Sequence, residues 1–495
     1  MNSEKLIKIA EGDNVAVVLL PVQKGESIKL EGVAFDVQDD ITSGQKIAIA
    51  NIASGADVVK YGCPIGYATQ DILTGQWVHT HNVKTKLNDK ATYTYDKQPI
   101  SEFACTPKSF MGYKRANGKV GIRNEIWIVN TVGCVNKTSE ILAQRANALN
   151  TGKTDGIFAY THPYGCSQLG DDHLNTQKIL CGLINHPNAG GVLVLGLGCE
   201  NNNMDALKKV LGDYNPDRVK FLSTQDIADE IQTGLALIEE LEQYATQAKR
   251  EVCDSNALII GLKCGGSDGF SGITANPLVG RISDMHIACG GTSLLTEVPE
   301  MFGAEQILMN RCVNADVFDK TVDMINDFKQ YYIAHNQPVY ENPSPGNKQG
   351  GITTLEDKSL GCTQKGGNGE VVDVLKYGER VSKNGLNLLE GPGNDIVATT
   401  ALTAAGAHII LFTTGRGTPL GAPVPTVKVS TNTALSEKKS NWIDFDAGCL
   451  LTGQTMDSLG KAFYEYILTV ASGTSTKNET NGYREIAIFK NGVTL

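Results

Sequence analysis

Four apolar runs, at 126–132, 156–160, 191–197 and 257–262, are too short for typical helices, and the last is rich in β-branched residues. Each closes on a glycine-bearing turn that delivers a cysteine: Gly133-Cys134, His162-Pro163-Tyr164-Gly165-Cys166, Gly198-Cys199-Glu200-Asn201 and Lys263-Cys264-Gly265-Gly266-Ser267-Asp268-Gly269. Such runs read as strands buried on both faces, which is the habit of parallel sheets. Between them lie stretches with helical spacing. Across 224–249, Ile227, Ile231, Leu235, Ile238, Leu241 and Ala245 keep steps of three or four, and Ser223 with Asp226 predicts a capping box. A second helix is expected over 316–333. Strand, helix, strand order across 112–309 implies a mostly parallel, doubly wound, Rossmann-like α/β region. Open sheets of this kind bind ligands at the carboxyl ends of their strands. Cysteines at equivalent tips therefore suggest one shared thiol-rich pocket.

The amino-terminal part reads differently. Short β-like pieces at 15–20, 33–37, 46–50, 58–61 and 65–69 are punctuated by glycine and Asp/Asn, with no useful helical period. This predicts a small all-β module over residues 1–95, a linker over 96–111 and an α/β region over 112–495, with a division into two subdomains near 250. The module closes on Trp77-Val78-His79-Thr80-His81-Asn82, and an extended backbone there would place both imidazoles on one face. The proline- and glycine-rich stretch 341–351 reads as a surface connection.

Several function classes are disfavoured. The net charge of −10 comes with no basic patch, which argues against nucleic acid as a partner. No run of about 18 apolar residues proposes a membrane span. Twelve cysteines without framework spacing, and an amino terminus without a signal-like apolar core, point to reduced thiols in a cytoplasm. There is no P-loop and no CxxC pair. Gly196-Leu197-Gly198 begins like a dinucleotide fingerprint, but Asn201 stands where the third glycine belongs, which weakens a nicotinamide oxidoreductase reading.

The remaining chemistry falls into three groups. Arg416, Lys263 and the glycine-rich turns can bind a carboxylate, and Arg416, Ser267, Asp268 and Thr414 are the candidate substrate-binding residues. His162, Lys263 and Glu297 are candidate bases. His79, His81, Cys166, Cys199 and Cys264 are candidate metal ligands. That set suits removal of a proton α to a carboxylate, a weakly acidic proton whose loss needs a positioned base and a stabilised enolate.

At Gly112-Tyr-Lys-Arg-Ala-Asn-Gly-Lys-Val-Gly-Ile-Arg-Asn124, the turn from Thr161 to Cys166, Gly196-Leu-Gly-Cys-Glu200, Cys264-Gly-Gly-Ser-Asp-Gly-Phe-Ser-Gly272, Pro343-Ser-Pro-Gly-Asn347 and Thr413-Thr-Gly-Arg-Gly-Thr-Pro419, the chain resembles the altronate/galactarate dehydratase family. The likeness spans nearly the whole chain. It implies that the first module is a SAF domain, a small β-clip fold. It also implies an iron- or manganese-dependent hydro-lyase acting on a sugar acid, with Fe²⁺ or Mn²⁺ held mononuclearly or, alternatively, three cysteines holding an iron–sulfur cluster. The His79-x-His81-Asn82 ending resembles the branch that dehydrates altronate to 2-dehydro-3-deoxygluconate, rather than those acting on galactarate or sulfolactate. A non-catalytic sugar-acid sensor is the remaining alternative. A small-molecule sugar acid is the expected partner, and a homo-oligomer the expected assembly.

Overall fold

The computed structural model describes residues 5–87, 92–100, 103–104, 106–150 and 152–495. The amino-terminal module is built from short antiparallel pairings. Leu6–Ile7, Val15–Val18, Lys46–Ala48 and Trp77–Val78 form one sheet, and Asp57–Lys60, Cys63–Ala68 and Val83–Lys84 another. Its apolar side chains divide between two small cores, one around Val58, Ile65 and Ile72 and one around Val18, Ile28 and Ile47.

The remainder carries two parallel sheets. The smaller has the order Ile157–Tyr160, Glu125–Asn130, Ala189–Gly196, Val219–Ser223. The larger has seven strands: Val371–Leu375, Gly385–Leu389, Thr292–Leu295, Ile259–Cys264, Ile409–Thr414, Thr426–Ser430 and Phe445–Asp446, every pairing parallel. The central strands are buried along their length, as their unbroken apolar runs predict. An antiparallel ribbon of Val120–Gly121, Ser109–Lys114 and Arg250–Asp254 joins the two sheets in the chain.

Two local expectations need correction. The helix expected from residue 224 begins at Glu230, because Ile227 is extended (φ −133°, ψ 158°) and ends a short 3₁₀ turn. Its cap is Asp229, whose carboxylate accepts from the N–H groups of Ile231 and Gln232, and not Ser223. Gly234, Ile238, Leu241 and Ala245 are among its buried residues. The stretch 341–351 is not a plain loop either: Pro345–Gln349 forms a short helix closed by a Ser344/Asn347 capping box.

The cysteine tips also separate. Cys134, Cys166 and Cys199 follow neighbouring strands of the four-stranded sheet and are exposed, whereas Cys264 ends a strand of the other sheet and is buried. The single thiol pocket expected from the repeated pattern is thus two separate places.

Buried histidines give the fold a pH dependence. Burial pushes the imidazoles of His79, His286 and His408 down to about 4, and lowers His162 and His186 as well. A depressed histidine stays neutral in the fold while the unfolded chain takes up a proton near 6.5. The stabilisation is complete above that value and is lost as pH falls towards about 4. Thermal unfolding midpoints should therefore drop steadily on acidification across this window. A flat profile between about pH 7 and about pH 4.5 would contradict neutral burial.

Candidate active site at the module seam

The site is built at the carboxyl end of Ile259–Cys264. This strand runs on through Lys263 and Cys264, which stay in register with Phe412 and Thr413 of Ile409–Thr414 after the pairing with Thr292–Leu295 ends at Leu262. The Lys263 ammonium is fully buried. It donates to Glu297, to Asp395 Oδ1 at 2.8 Å and to the Cys264 carbonyl at 2.6 Å. Burial opposes its charge, but Glu297 and Asp395 outweigh that and raise its pKa. Lys263 is thus a fixed cation, not a base poised to accept a proton.

Glu297 sits in the left-handed region at φ 72°, a strained conformation for a non-glycine residue. It accepts from the Cys264 N–H at 3.0 Å and the Lys365 ammonium at 3.0 Å. Lys365 also donates to Cys264 Sγ at 2.7 Å. Cys264 Sγ lies 3.4 Å from Cys362 Sγ, and both thiols meet Glu300 Oε2, at 3.1 and 3.2 Å. Glu300 pairs with Lys358 at 2.8 Å. Burial alone would raise the Glu300 carboxyl, but Lys358 and its neighbouring ammoniums hold it well below the usual range. Three ammoniums (Lys263, Lys358, Lys365) therefore face three carboxylates (Glu297, Glu300, Asp395) around two thiols, and only Asp395 is appreciably exposed. Among the described residues, Cys264, Glu300 and Cys362 form a group whose ligand atoms lie within 4.8 Å of one another, and this group could bind a metal.

The network reaches the module through Asn347. Lys358 donates to Asn347 Oδ1 at 3.3 Å, and the Asn347 amide donates to the Ser267 carbonyl at 2.8 Å. At the end of the same short helix, Gln349 presents its carbonyl to Gln45 of the module at 3.1 Å. Lys46 of the module donates to the Gly351 carbonyl at 2.6 Å and pairs with Asp357 at 2.8 Å, while Lys60 pairs with the other Asp357 oxygen at 3.0 Å. Burial opposes the Asp357 charge, yet the two lysines keep its carboxyl well below the ordinary range. The module turn at Gly44 is wedged between Gly269 and Gly351; a Cβ on either would overlap the Gly44 carbonyl.

His79 and His81 lie on this seam. The backbone turns after Val78 instead of remaining extended, because the His79 carbonyl accepts from the N–H groups of both Asn82 and Val83. Both rings nevertheless contact the Trp77 ring, with centroids 5.4 and 5.0 Å away. His79 Nδ1 bonds Thr353 Oγ1 at 3.0 Å, and the ring is buried; His81 is exposed. Desolvation, then Lys46, holds the His79 imidazole neutral, down to about 4.

The expected substrate-binding residues occupy the same end of the sheet. Arg416 is exposed and, among the described residues, donates only to the Gln349 side chain at 3.1 Å and the Gly346 carbonyl at 3.5 Å. Among the described residues it pairs with no carboxylate, and neither does Lys348. Asp268 is committed to structure: it accepts from Thr431 at 2.9 Å, Asn432 at 3.2 Å and Ser271 at 3.1 Å. Thr414 accepts the Gly417 N–H at 2.8 Å and so shapes the Arg416 turn. Ser267 is buried at the Gly265-Gly266-Ser267-Asp268-Gly269 turn. That turn has Gly-x-Ser-x-Gly spacing, but no histidine bonds the Ser267 hydroxyl among the described residues.

His162, Cys166 and Cys199 are not part of this constellation; they belong to the tips of the four-stranded sheet. Tyr164 N–H donates to His162 Nδ1 at 3.2 Å, so Nε2 carries the hydrogen and donates to the Asn130 carbonyl at 2.8 Å. Both ring nitrogens are used in holding the turn. Glu300, Lys348, Lys358, Cys362 and Lys365 do not stand out in the sequence. One signal is present: Lys358, Cys362 and Lys365 follow at steps of four and three, which places them on one helical face.

Comparison with known proteins bears on what this arrangement serves. Residues 4–86 match the family described as the altronate/galactarate dehydratase SAF domain. Residues 112–246 match the D-galactarate dehydratase/altronate hydrolase second domain, and 255–494 the D-galactarate/altronate dehydratase C-terminal domain. The chain is 56% identical over 500 residues to the altronate dehydratase of Bacillus subtilis (strain 168), covering 99% of this chain and 100% of that protein. It is 54% identical to the altronate dehydratase of Escherichia coli (strain K12), covering 99% of each. Identity falls to 31% with the galactarate dehydratase (L-threo-forming) of Escherichia coli (strain K12), over 98% of this chain and 96% of that protein.

Proposed function

This chain belongs to the D-galactarate/altronate dehydratase family, and from that membership we propose that it is a hydro-lyase converting D-altronate to 2-dehydro-3-deoxy-D-gluconate and water. The observation that carries the choice of substrate is the end-to-end identity of 56% and 54% to two altronate dehydratases, against 31% to the galactarate enzyme. The seam supports it chemically. Arg416 and Lys348 offer positive charge without an acidic partner among the described residues, as a sugar-acid carboxylate requires. Ser267 and Asn347 lie beside them to fix the polyol chain.

In this reading Arg416 forks onto the carboxylate, and Lys348 adds a point charge. His79, neutral at working pH, and the exposed His81 carry protons between the α-carbon, the departing 3-hydroxyl and solvent. Lys263 and Glu297 act as fixed, mutually paired charges of the buried network, and the positive charge offered to the developing enolate is that of Arg416 and Lys348. The donor set of Cys264, Glu300 and Cys362 fits one divalent iron or manganese ion by ligand type and spacing, although Lys358 and Lys365 already neutralise these donors. Such an ion, when bound, would supply Lewis acidity towards the substrate oxygens.

A 2-keto-acid assay on altronate, galactarate and sulfolactate tests the proposal. Altronate should give the highest kcat/KM, and preferred turnover of either other acid would overturn the assignment. Binding of altronate without turnover would favour a sensor. Arg416→Lys should raise KM for altronate about 10- to 100-fold with a smaller change in kcat, because a charged hydrogen bond contributes about 1.5–3 kcal/mol. Unaltered kinetics would make Arg416 structural.

A further inference from the structure

We propose that Cys134, Cys166 and Cys199 hold an iron–sulfur cluster through three thiolates, at a site on the four-stranded sheet that is separate from the Cys264 network. The three residues follow the carboxyl ends of neighbouring parallel strands, Glu125–Asn130, Ile157–Tyr160 and Ala189–Gly196. Their turns are locked to one another. The Gly133 N–H donates to the Tyr164 carbonyl at 2.8 Å, which sets Cys134 beside the turn that ends in Cys166. A Cβ on Gly165 would overlap the Thr131 carbonyl, so the chain just before Cys166 lies against the chain leading to Cys134. Asn202 draws in the third turn: its N–H donates to the Gly165 carbonyl at 2.9 Å, and its amide to the Thr131 carbonyl at 2.9 Å. Glu200, next to Cys199, accepts from Thr131 Oγ1 at 2.5 Å and from the Gly198 N–H at 2.6 Å. His162 clamps the same turns with both ring nitrogens.

The polar groups named around the thiols are thus used for rigidity, while the thiols themselves are exposed. Cys199 Sγ accepts one long hydrogen bond from Gln225 at 3.6 Å, and Cys134 and Cys166 have no hydrogen-bond partner among the described residues. Exposed free thiols are reactive and liable to oxidation unless they are occupied. Three thiols are too many for one disulfide. The thiolates of one zinc ion lie about 4 Å apart, from Zn–S bonds of about 2.3 Å. Among the described residues no such close group includes these sulfurs, since the 4.8 Å grouping holds Cys264, Glu300 and Cys362 alone. A cluster spans wider thiolate separations and takes its ligands from separate loops. With three protein ligands, a [4Fe–4S] cluster keeps one iron free for water or an oxygen ligand. Compared with the ligand set expected from sequence, Cys134 takes the place of Cys264.

The test is anaerobic reconstitution of the full-length chain with equal amounts of ferrous and ferric iron and with sulfide, which together balance a [4Fe–4S]2+ core. It should bind about four irons and four acid-labile sulfides per chain. Cluster absorption in the visible should be bleached by dithionite, and all three thiols should be protected from iodoacetamide. Cys134→Ser, Cys166→Ser and Cys199→Ser should each lose at least about tenfold in bound sulfide and keep the unfolding midpoint of the apoprotein, since each thiol is exposed. Cys449→Ser, away from these turns, should retain the cluster. Iron bound without sulfide, sulfide retained in all three variants, or loss of the cluster from Cys449→Ser to the same degree would each overturn the assignment.

Discussion

Lys365→Met should be among the most damaging single substitutions in the chain. Its ammonium is buried between Cys264 Sγ at 2.7 Å and Glu297 Oε2 at 3.0 Å. Burial opposes this charge, and Cys264 and Glu297 more than restore it. Methionine fills similar volume but leaves a buried carboxylate with one of its two counter-ions missing. Removing one partner of a buried pair costs about 3–5 kcal/mol when the other is left unpaired; Lys263 still pairs with Glu297, so the lower end of that range applies. The larger domain should lose that much in denaturant titration, and turnover should fall with it. Lys365→Met with Glu297→Gln removes the half-paired carboxylate and should recover part of the loss in stability but none of the activity. If the single variant were within about 0.5 kcal/mol of wild type, the network would not carry the charges assigned to it.

Removal of the amino-terminal module should leave a folded but inactive chain. The contacts of the connecting stretch say where to cut. Tyr93 donates to Glu305 at 2.5 Å and Tyr95 to the Cys312 carbonyl at 2.6 Å, so this stretch packs on the larger region. Deleting residues 1–87 keeps both tyrosines in place. It also removes Lys46 and Lys60 from Asp357, His79 from Thr353 and the Gly44 wedge from Gly269. Asp357 is then open to water, where a lone carboxylate is tolerated, so the fold should survive. Activity should fall at least about 100-fold, corresponding to about 2.7 kcal/mol of lost transition-state stabilisation. Separately produced 1–87 should restore part of it. Full turnover by the truncated chain would dismiss the seam as the site.

Part of this architecture is legible in the amino-acid order. The apolar runs ending in glycine turns predict parallel strands because both faces of such strands must be apolar, and Ile409–Thr414 and Ala189–Gly196 are buried at every residue. The all-β character of the module follows from its punctuation by glycine and Asp/Asn. The place of Arg416 on a glycine turn after a buried strand is visible too. Features that depend on geometry beyond the local pattern are not. Ser223 and Asp226 have capping-box chemistry, but the helix starts four residues beyond Asp226, where backbone geometry makes Asp229 the cap. His79 and His81 share the Trp77 ring through a turn, not through strand alternation.

Local pattern thus accounts for the set of pieces: strands, helices, the module, and a thiol at each of four strand tips. Which pieces meet is a tertiary matter. In a parallel sheet, neighbours are joined by long crossovers, so order along the chain does not dictate order across the sheet. The strand bearing Cys264 pairs with Thr292–Leu295 and Ile409–Thr414, and that pairing removes it from the other three thiols. The same pairing brings Lys263 to Glu297 and Asp395, 34 and 132 residues away, and fixes its charge. Whether a lysine is a base or a fixed cation depends on burial and on the nearest opposite charge, and both are set by contacts that no local pattern encodes.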